Sequence, residues 1–207
     1  MRKILTLFSA VALLAVPAAA QARGLDFDIS QPITGPIKLE IVVSEDLAHR
    51  ANNLPKKISD RRSGSRISGS FSNNGHYGDR AIEFLLEDLE EELVRDFSKR
   101  DITLSETAPT VLKVTIEKVK NNRPTFNQLS RDSNLSFQSF GIGGANVSAL
   151  LTSLNGEVLG EAKYDYYSDF RDFGLQGRSV WTDTSVAFSK FSRQFSKKLA
   201  RAGASTS

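Results

Sequence analysis

The chain has no cysteine. Disulfides, thiolate metal centres, cysteine nucleophiles and lipidation at a cleavage-site cysteine are all excluded. Histidine is nearly as scarce: the 207 residues include 2, His49 and His76. Both lie in or beside a polar stretch, and nothing in the sequence marks them as held beside a nucleophile, as a hydrolytic triad requires. They read as solvated side chains. A structural zinc takes three or four ligands, often closely spaced, so no metal and no cofactor is expected. Beyond the amino terminus there is also no apolar run long enough to span a bilayer.

The amino terminus itself has three parts. Arg2 and Lys3 give a positive start, Ile4 to Val16 is apolar except for Thr6 and Ser9, and Pro17 to Ala22 is mostly alanine. Spanning a bilayer takes roughly 20 apolar residues. This run is shorter and ends in Ala20-Gln21-Ala22, the small-x-small pattern of signal peptidase. Residues 1–22 therefore read as a secretory signal peptide, cut between Ala22 and Arg23. A mature chain of about 185 residues can bury a core without disulfides, whereas small extracellular animal proteins lean on them. Export without cysteine points to a bacterial periplasm, with no transmembrane segment after cleavage. Losing Arg2 and Lys3 lowers the formal charge from +3 to +1. Bulk attraction to nucleic acid is not implied, and no nucleic-acid partner is expected.

Hydrophobic periodicity organises the rest. Residues 23–36 read as extended and irregular. Ile37 to Val43 alternates as a half-buried strand. Residues 49–78 form a long polar loop, unusual enough in a compact domain to be functional or disordered. From Asp79, Ile82, Leu85, Leu86, Leu89, Leu93 and Phe97 recur at helical spacing, and Lys99 and Arg100 close the helix as its dipole prefers. Ile102-Thr103-Leu104 suggests a short strand and Thr110 to Lys120 a longer one. Pro124 to Asn134 reads as a loop. Val147, Ala149 and Leu151 alternate in a further strand. Asn155-Gly156 signals a hairpin turn, and the return strand from Glu157 to Tyr167 carries Gly160, which suggests a bulge. A final helix over Thr182 to Arg201 bears Phe188, Phe191, Phe195 and Leu199 on one stripe. Trp181 covers one end of the sheet. Residues 202–207 form a fraying tail. The order is α+β: a single domain over 37–201, with two helices packed on one face of a small, mainly antiparallel sheet. Its expected core is led by Leu85, Leu89, Leu93, Phe97, Val114, Ile116, Val147, Ala149, Phe188, Phe191 and Phe195.

Few residues suggest chemistry. Lys56, Lys57, Arg61, Arg62 and Arg66 are opposed only by Asp60. Such a cluster can hold a lipid phosphate, a polyanionic glycan or an acidic protein face. The same charges also simply keep a loop solvated, and no aromatic lies between Lys56 and Arg66 to stack on bases. The acidic face of the first long helix reads as solvated. Asp165, Asp169 and Asp172, interleaved with tyrosine and phenylalanine, are the candidate carboxylates of a hydrolase or lyase. The wet face of a strand is the simpler reading. Gly141-Ile142-Gly143-Gly144 looks like part of a phosphate loop but precedes a strand and no helix, so it serves a bend in the sheet.

The layout of helix, Ile102-Thr103-Leu104, strand, Gly141 to Gly144, and a hairpin closed by Leu154-Asn155-Gly156-Glu157-Val158-Leu159 resembles small bacterial envelope proteins, many of them lipoproteins. Their domain is similar to the amino-terminal domain of the Tol-Pal propeller protein and to auxiliary lipoproteins of transport systems. The resemblance covers about Ile37 to Arg201 and implies binding or assembly, with no catalytic residues to transfer. The expectation is a non-enzymatic periplasmic protein that binds an envelope protein, glycan or lipid. The alternative is a carboxylate-dependent hydrolase or lyase acting on an envelope polymer.

Overall fold

Period-two alternation builds the sheet. The computed structural model describes residues 24–58, 75–168 and 179–204. Its strands are β1 (Leu25–Ile29), β2 (Ile37–Val43), β3 (Thr110–Lys120), β4 (Gly144–Ser153) and β5 (Val158–Tyr167). They form one five-stranded sheet in the order β1-β5-β4-β3-β2. Only β2 and β3 are parallel; the other neighbours are antiparallel. Leu112, Val114 and Ile116 of β3 and Val147, Ala149 and Leu151 of β4 are buried on one face. Lys113, Lys163 and Glu161 stand on the other, which is open to water.

The helices are α1 (Glu45–Asn52), α2 (Asp79–Ser98), α3 (Phe126–Leu129) and α4 (Thr182–Leu199), the last continued by a π-helical turn, Ala200–Ala204. The two long helices, α2 and α4, pack on each other and on the apolar face of the sheet. Their stripes of Leu85, Leu89, Leu93, Phe97, Phe188, Phe191, Phe195 and Leu199 are fully buried. Burying each such side chain contributes about 1.5–3 kcal/mol, so this layer dominates the stability. The fold is the expected α+β arrangement of two helices on one face of a mainly antiparallel sheet. The whole expected core is buried.

The hairpin turns where expected. Gly156 has φ +81° and its N–H donates to Ser153 O at 3.0 Å. Leu151 pairs with Gly160 but Thr152 with Val158, so the bulge falls at Leu159, beside Gly160.

Several local expectations change. The segment over 23–36 contains an edge strand, because Leu25, Phe27 and Ile29 alternate with Asp26 and Asp28. The polar stretch from His49 begins inside α1, which Ser44 caps by accepting from Leu47 N at 3.2 Å. Ile102-Thr103-Leu104 gives only an isolated bridge from Leu104 to Ile37. The loop over 124–134 contains α3. The tail does not fray at Ala202: its carbonyl accepts from Ile33 N at 3.1 Å, and Ala204 is buried.

Candidate functional site

Where β3 ends, the chain buries two consecutive asparagines, Asn121 and Asn122. Buried amides must find partners, and these organise the corner. Asn122 Oδ1 accepts from Asp183 N at 2.8 Å, and Asn122 Nδ2 donates to Asp183 Oδ2. The Asn122 backbone donates to Val180 O at 2.7 Å and accepts from Gly141 N at 2.8 Å. Asp183 Oδ2 also accepts from Gly143 N at 3.1 Å and from the Ser168 hydroxyl. Thr184 Oγ1 donates to Lys120 O at 3.0 Å and Gly144 O at 3.2 Å. Asp183 lies in the first turn of α4, where a carboxylate suits the helix dipole. One carboxylate and one amide thus join the end of β3, the entry to β4, the exit of β5 and the start of α4.

The glycines at 143 and 144 belong to this frame. A Cβ on Gly143 would lie 2.6 Å from Asn122 Oδ1 and 2.8 Å from Asp183 Cβ. Gly144 has φ +152°, and a Cβ there would lie 2.1 Å from Tyr166 O. The doublet therefore serves close backbone approach at the sheet entry rather than a bulge, the register shifts in the pairing of β4 lying at Ile116/Lys118 and Leu151/Thr152. As expected, no helix amino terminus follows it.

Asn121 braces the neighbouring turn. Its Nδ2 donates to Arg123 O and to Gln128 Oε1, both at 2.7 Å. Thr125 and Gln128 form a capping box around α3, and Gln128 Nε2 donates to Gly75 O at 2.8 Å. Tyr77 packs edge-on against Trp181 at 5.6 Å between ring centroids and donates to Val119 O at 3.2 Å. Burial pushes the Tyr77 phenol up to about 12. Trp181 sits at the end of the sheet, as expected, and is 6% exposed.

Above this frame is an open groove of about 670 Å³. Its walls are Pro124, Phe126, Phe137, Phe140 and Val180, with Arg123 beside them. Phe126 is 80% exposed and Phe137 76%. The Arg123 guanidinium donates to Gln138 O at 2.7 Å and Ser139 O at 3.4 Å, which fixes the far wall. The lining offers aromatic faces and one cation, and the described residues bring no nucleophile and base together there. It can hold the face of a sugar ring or an apolar side chain.

Those residues singled out from the sequence that are described do not line the groove. Lys56 and Lys57 are exposed beyond α1. Arg61, Arg62 and Arg66 lie outside the described residues, as do Ala22 and Arg23. Asp165 is half-buried on β5, opposite Asn146 of β4. Asp169 and Asp172 are outside the described residues. His49 is half-buried on α1, and the His76 carbonyl accepts from Thr125 Oγ1 at 3.4 Å. Among the described residues, no three His, Asp or Glu side chains are grouped to hold a metal ion, and no helix is long and apolar enough to cross a membrane. Sequence reading misses the groove because its aromatics fall in a segment without periodicity. The signal that could have found it is Thr125-Phe126-Asn127-Gln128, a capping-box pattern directly after Asn-Asn-Arg-Pro.

No family model matches the chain, and no curated protein sequence does. Among solved structures, the PelC dodecamer of Paraburkholderia phytofirmans is similar in fold, at 14% identity and a TM-score of 0.42, over 88% of this chain and 99% of that one. A single-residue variant of the same dodecamer matches at 15% identity and a TM-score of 0.41, over 86% of this chain and 98% of that one.

Proposed function

We propose that the protein is a non-enzymatic binding or assembly component of the bacterial cell envelope, working in the periplasm after removal of residues 1–22. Kinship with the small envelope proteins that its layout resembles is part of the same proposal. The observation that carries it is the groove. Phe126 and Phe137 stand exposed on a corner braced by the buried Asn122, Asp183 and Thr184. Aromatics held on a rigid frame lose little freedom on binding, which is what a recognition surface needs. The basic segment of Lys56, Lys57, Arg61, Arg62 and Arg66 serves as a second contact, for phosphate or another polyanionic group on the partner.

The test is capture of envelope components by the purified protein. Solubilised envelope is passed over wild type, the Phe126→Ser/Phe137→Ser double variant and a variant lacking Lys56 to Arg66. Bound protein, lipopolysaccharide and peptidoglycan are then assayed separately. The expected result is one class retained by wild type, lost in the double variant and weakened in the deletion, with melting temperatures unchanged in the double variant. Equal retention by wild type and the double variant would show that the groove does not bind the envelope partner.

A further inference from the structure

The two edges of the sheet are finished differently. At the β1 edge, Asp26 and Asp28 are exposed, and Lys198 Nζ donates to Leu25 O at 3.0 Å. Charge and a side-chain donor blunt that edge, as exposed strands require.

β2 carries an ion pair, Lys38 to Glu40 at 2.9 Å, but among the described residues no group bonds its outward main chain along most of its length. Successive residues of a strand turn their main-chain groups alternately to the two sides. Ser44 N donates to Ile116 O at 3.0 Å, so the even-numbered residues face β3. Ile37 N donates to Thr103 O at 2.9 Å, and Ile37 O accepts from Ser105 N at 3.0 Å, so the odd-numbered residues face outward. Among the described residues that cover stops past Ile37. Leu39, Ile41 and Val43 turn their N–H and C=O groups outward with no partner among the described residues. Their side chains pack against the core while only half-buried. An edge of this kind accepts another extended chain.

We propose that it accepts a second copy of this chain, β2 against β2, antiparallel about a two-fold axis at Ile41. The residues choose the register. Centring on Glu40 sets two Glu40 carboxylates face to face, a destabilising pair. It also drives Val43 onto Ile37, whose main-chain groups are already used. Centring on Leu39 drives Ile41 onto the same Ile37. Centring on Ile41 places Leu39 opposite Val43 of the second copy and Ile41 opposite its counterpart, so each free N–H meets a C=O. Glu40 then faces Val42, and Lys38 faces Ser44, so no like charges meet. β2 gives way to the α1 cap at Ser44, so the second copy's strand ends as it reaches the covered stretch. The edge is self-complementary, as a two-fold contact demands, and the half-buried Leu39, Ile41 and Val43 of each copy extend the apolar layer of the other. This surface is independent of the groove.

Sedimentation equilibrium over a concentration series tests it. Wild type is expected to show a reversible monomer–dimer equilibrium. Val42→Glu sets a second carboxylate opposite Glu40 at two symmetric places and weakens the dimer, while Val42→Lys tightens it. Each shift is roughly two- to thirtyfold in dissociation constant, for two cross-strand charge pairs. Ile41→Pro removes an outward N–H without touching the β3 ladder, so it gives a monomer with unchanged helical circular dichroism. A monomer at every concentration would overturn the proposal. So would a mass above the dimer, or equal responses to Val42→Glu and Val42→Lys. Should Ile41→Pro fail to fold, the Val42 pair still decides.

Discussion

The helix-covered layer and the corner beneath the groove are both buried, and they are held by different forces. In the layer, Phe195 stacks on Phe191 at 5.3 Å and meets Phe27 edge-on at 5.5 Å. Its contacts are non-directional, and its stability follows from area removed from water. In the corner, Asn122 and Asp183 meet through hydrogen bonds aimed at single atoms. Such bonds add little net stability each, but leaving one unmade costs the full desolvation of a buried group. The layer therefore sets how stable the chain is. The corner sets where the turn after β3, the glycine entry to β4 and the start of α4 lie relative to one another, and hence the shape of the groove.

Substitutions can break that division. The largest effect is expected in the layer: Phe195→Ala leaves a cavity among Phe27, Phe97 and Phe191 and costs about 3–5 kcal/mol in chemical denaturation. Asp183→Ala is expected to cost less, about 1–3 kcal/mol, because it leaves Gly143 N–H, Ser168 and Asn122 without their acceptor. Its signature is local, with faster amide exchange at residues 121–124 and 141–143 and little change in α2. A global loss as large as that of Phe195→Ala would mean the corner is part of the same cooperative unit and the division is false.

Gly143→Ala strains the corner by sterics alone. Its Cβ would lie 2.6 Å from Asn122 Oδ1. The overpacking cost is about 1–3 kcal/mol, with the same local exchange pattern as Asp183→Ala. Ala149→Gly is the matching control in the layer, where no such localised pattern is expected.

The smallest effect concerns pH, at the contact of Asp88 on α2 with Ser185 on α4. Burial holds the Asp88 carboxyl above its ordinary value of 3.8, against the opposing pull of the Ser185 hydroxyl. That hydroxyl donates to it at 2.7 Å. The folded chain thus binds this proton more tightly than the unfolded chain does. The contribution of Asp88 to stability is greatest in acid and falls as pH rises through the window just above 3.8. Asp88→Asn keeps an acceptor for Ser185 and removes the titration. Its stability is expected to decline less over that window than wild type in pH-dependent denaturation.

The same division explains what the sequence discloses. Periodicity is a property of apolar residues, and it located α2, β3, the β4–β5 hairpin and α4 within a few residues of their true ends. It misses β1, although Leu25, Phe27 and Ile29 alternate cleanly, because the strand is only 5 residues long. It misses α1, whose start is marked by Ser44 and which offers only Leu47, Ala48 and Ala51 as apolar positions, too few for a clear period. The corner was legible only in fragments. The glycines at 143 and 144 were correctly placed at the sheet entry, and Trp181 at the sheet end. Asn121, Asn122, Asp183 and Gln128 look like ordinary loop and helix-start residues until the chain is folded, because their partners are distant in sequence: Asn122 and Asp183 are 61 residues apart. Phe126 and Phe137 gave no signal, since an aromatic in a loop carries no period.

The proposed function depends on the braced groove meeting an envelope partner. A photo-crosslinking residue placed in living cells tests it most directly, at Phe137 in the groove and at Val94 on α2, which is exposed but lies outside the groove. The expected result is a discrete crosslinked envelope species at Phe137, lost when Asp183→Ala is added, and none at Val94. The same crosslinks at both positions, or a species at Val94 alone, would contradict it.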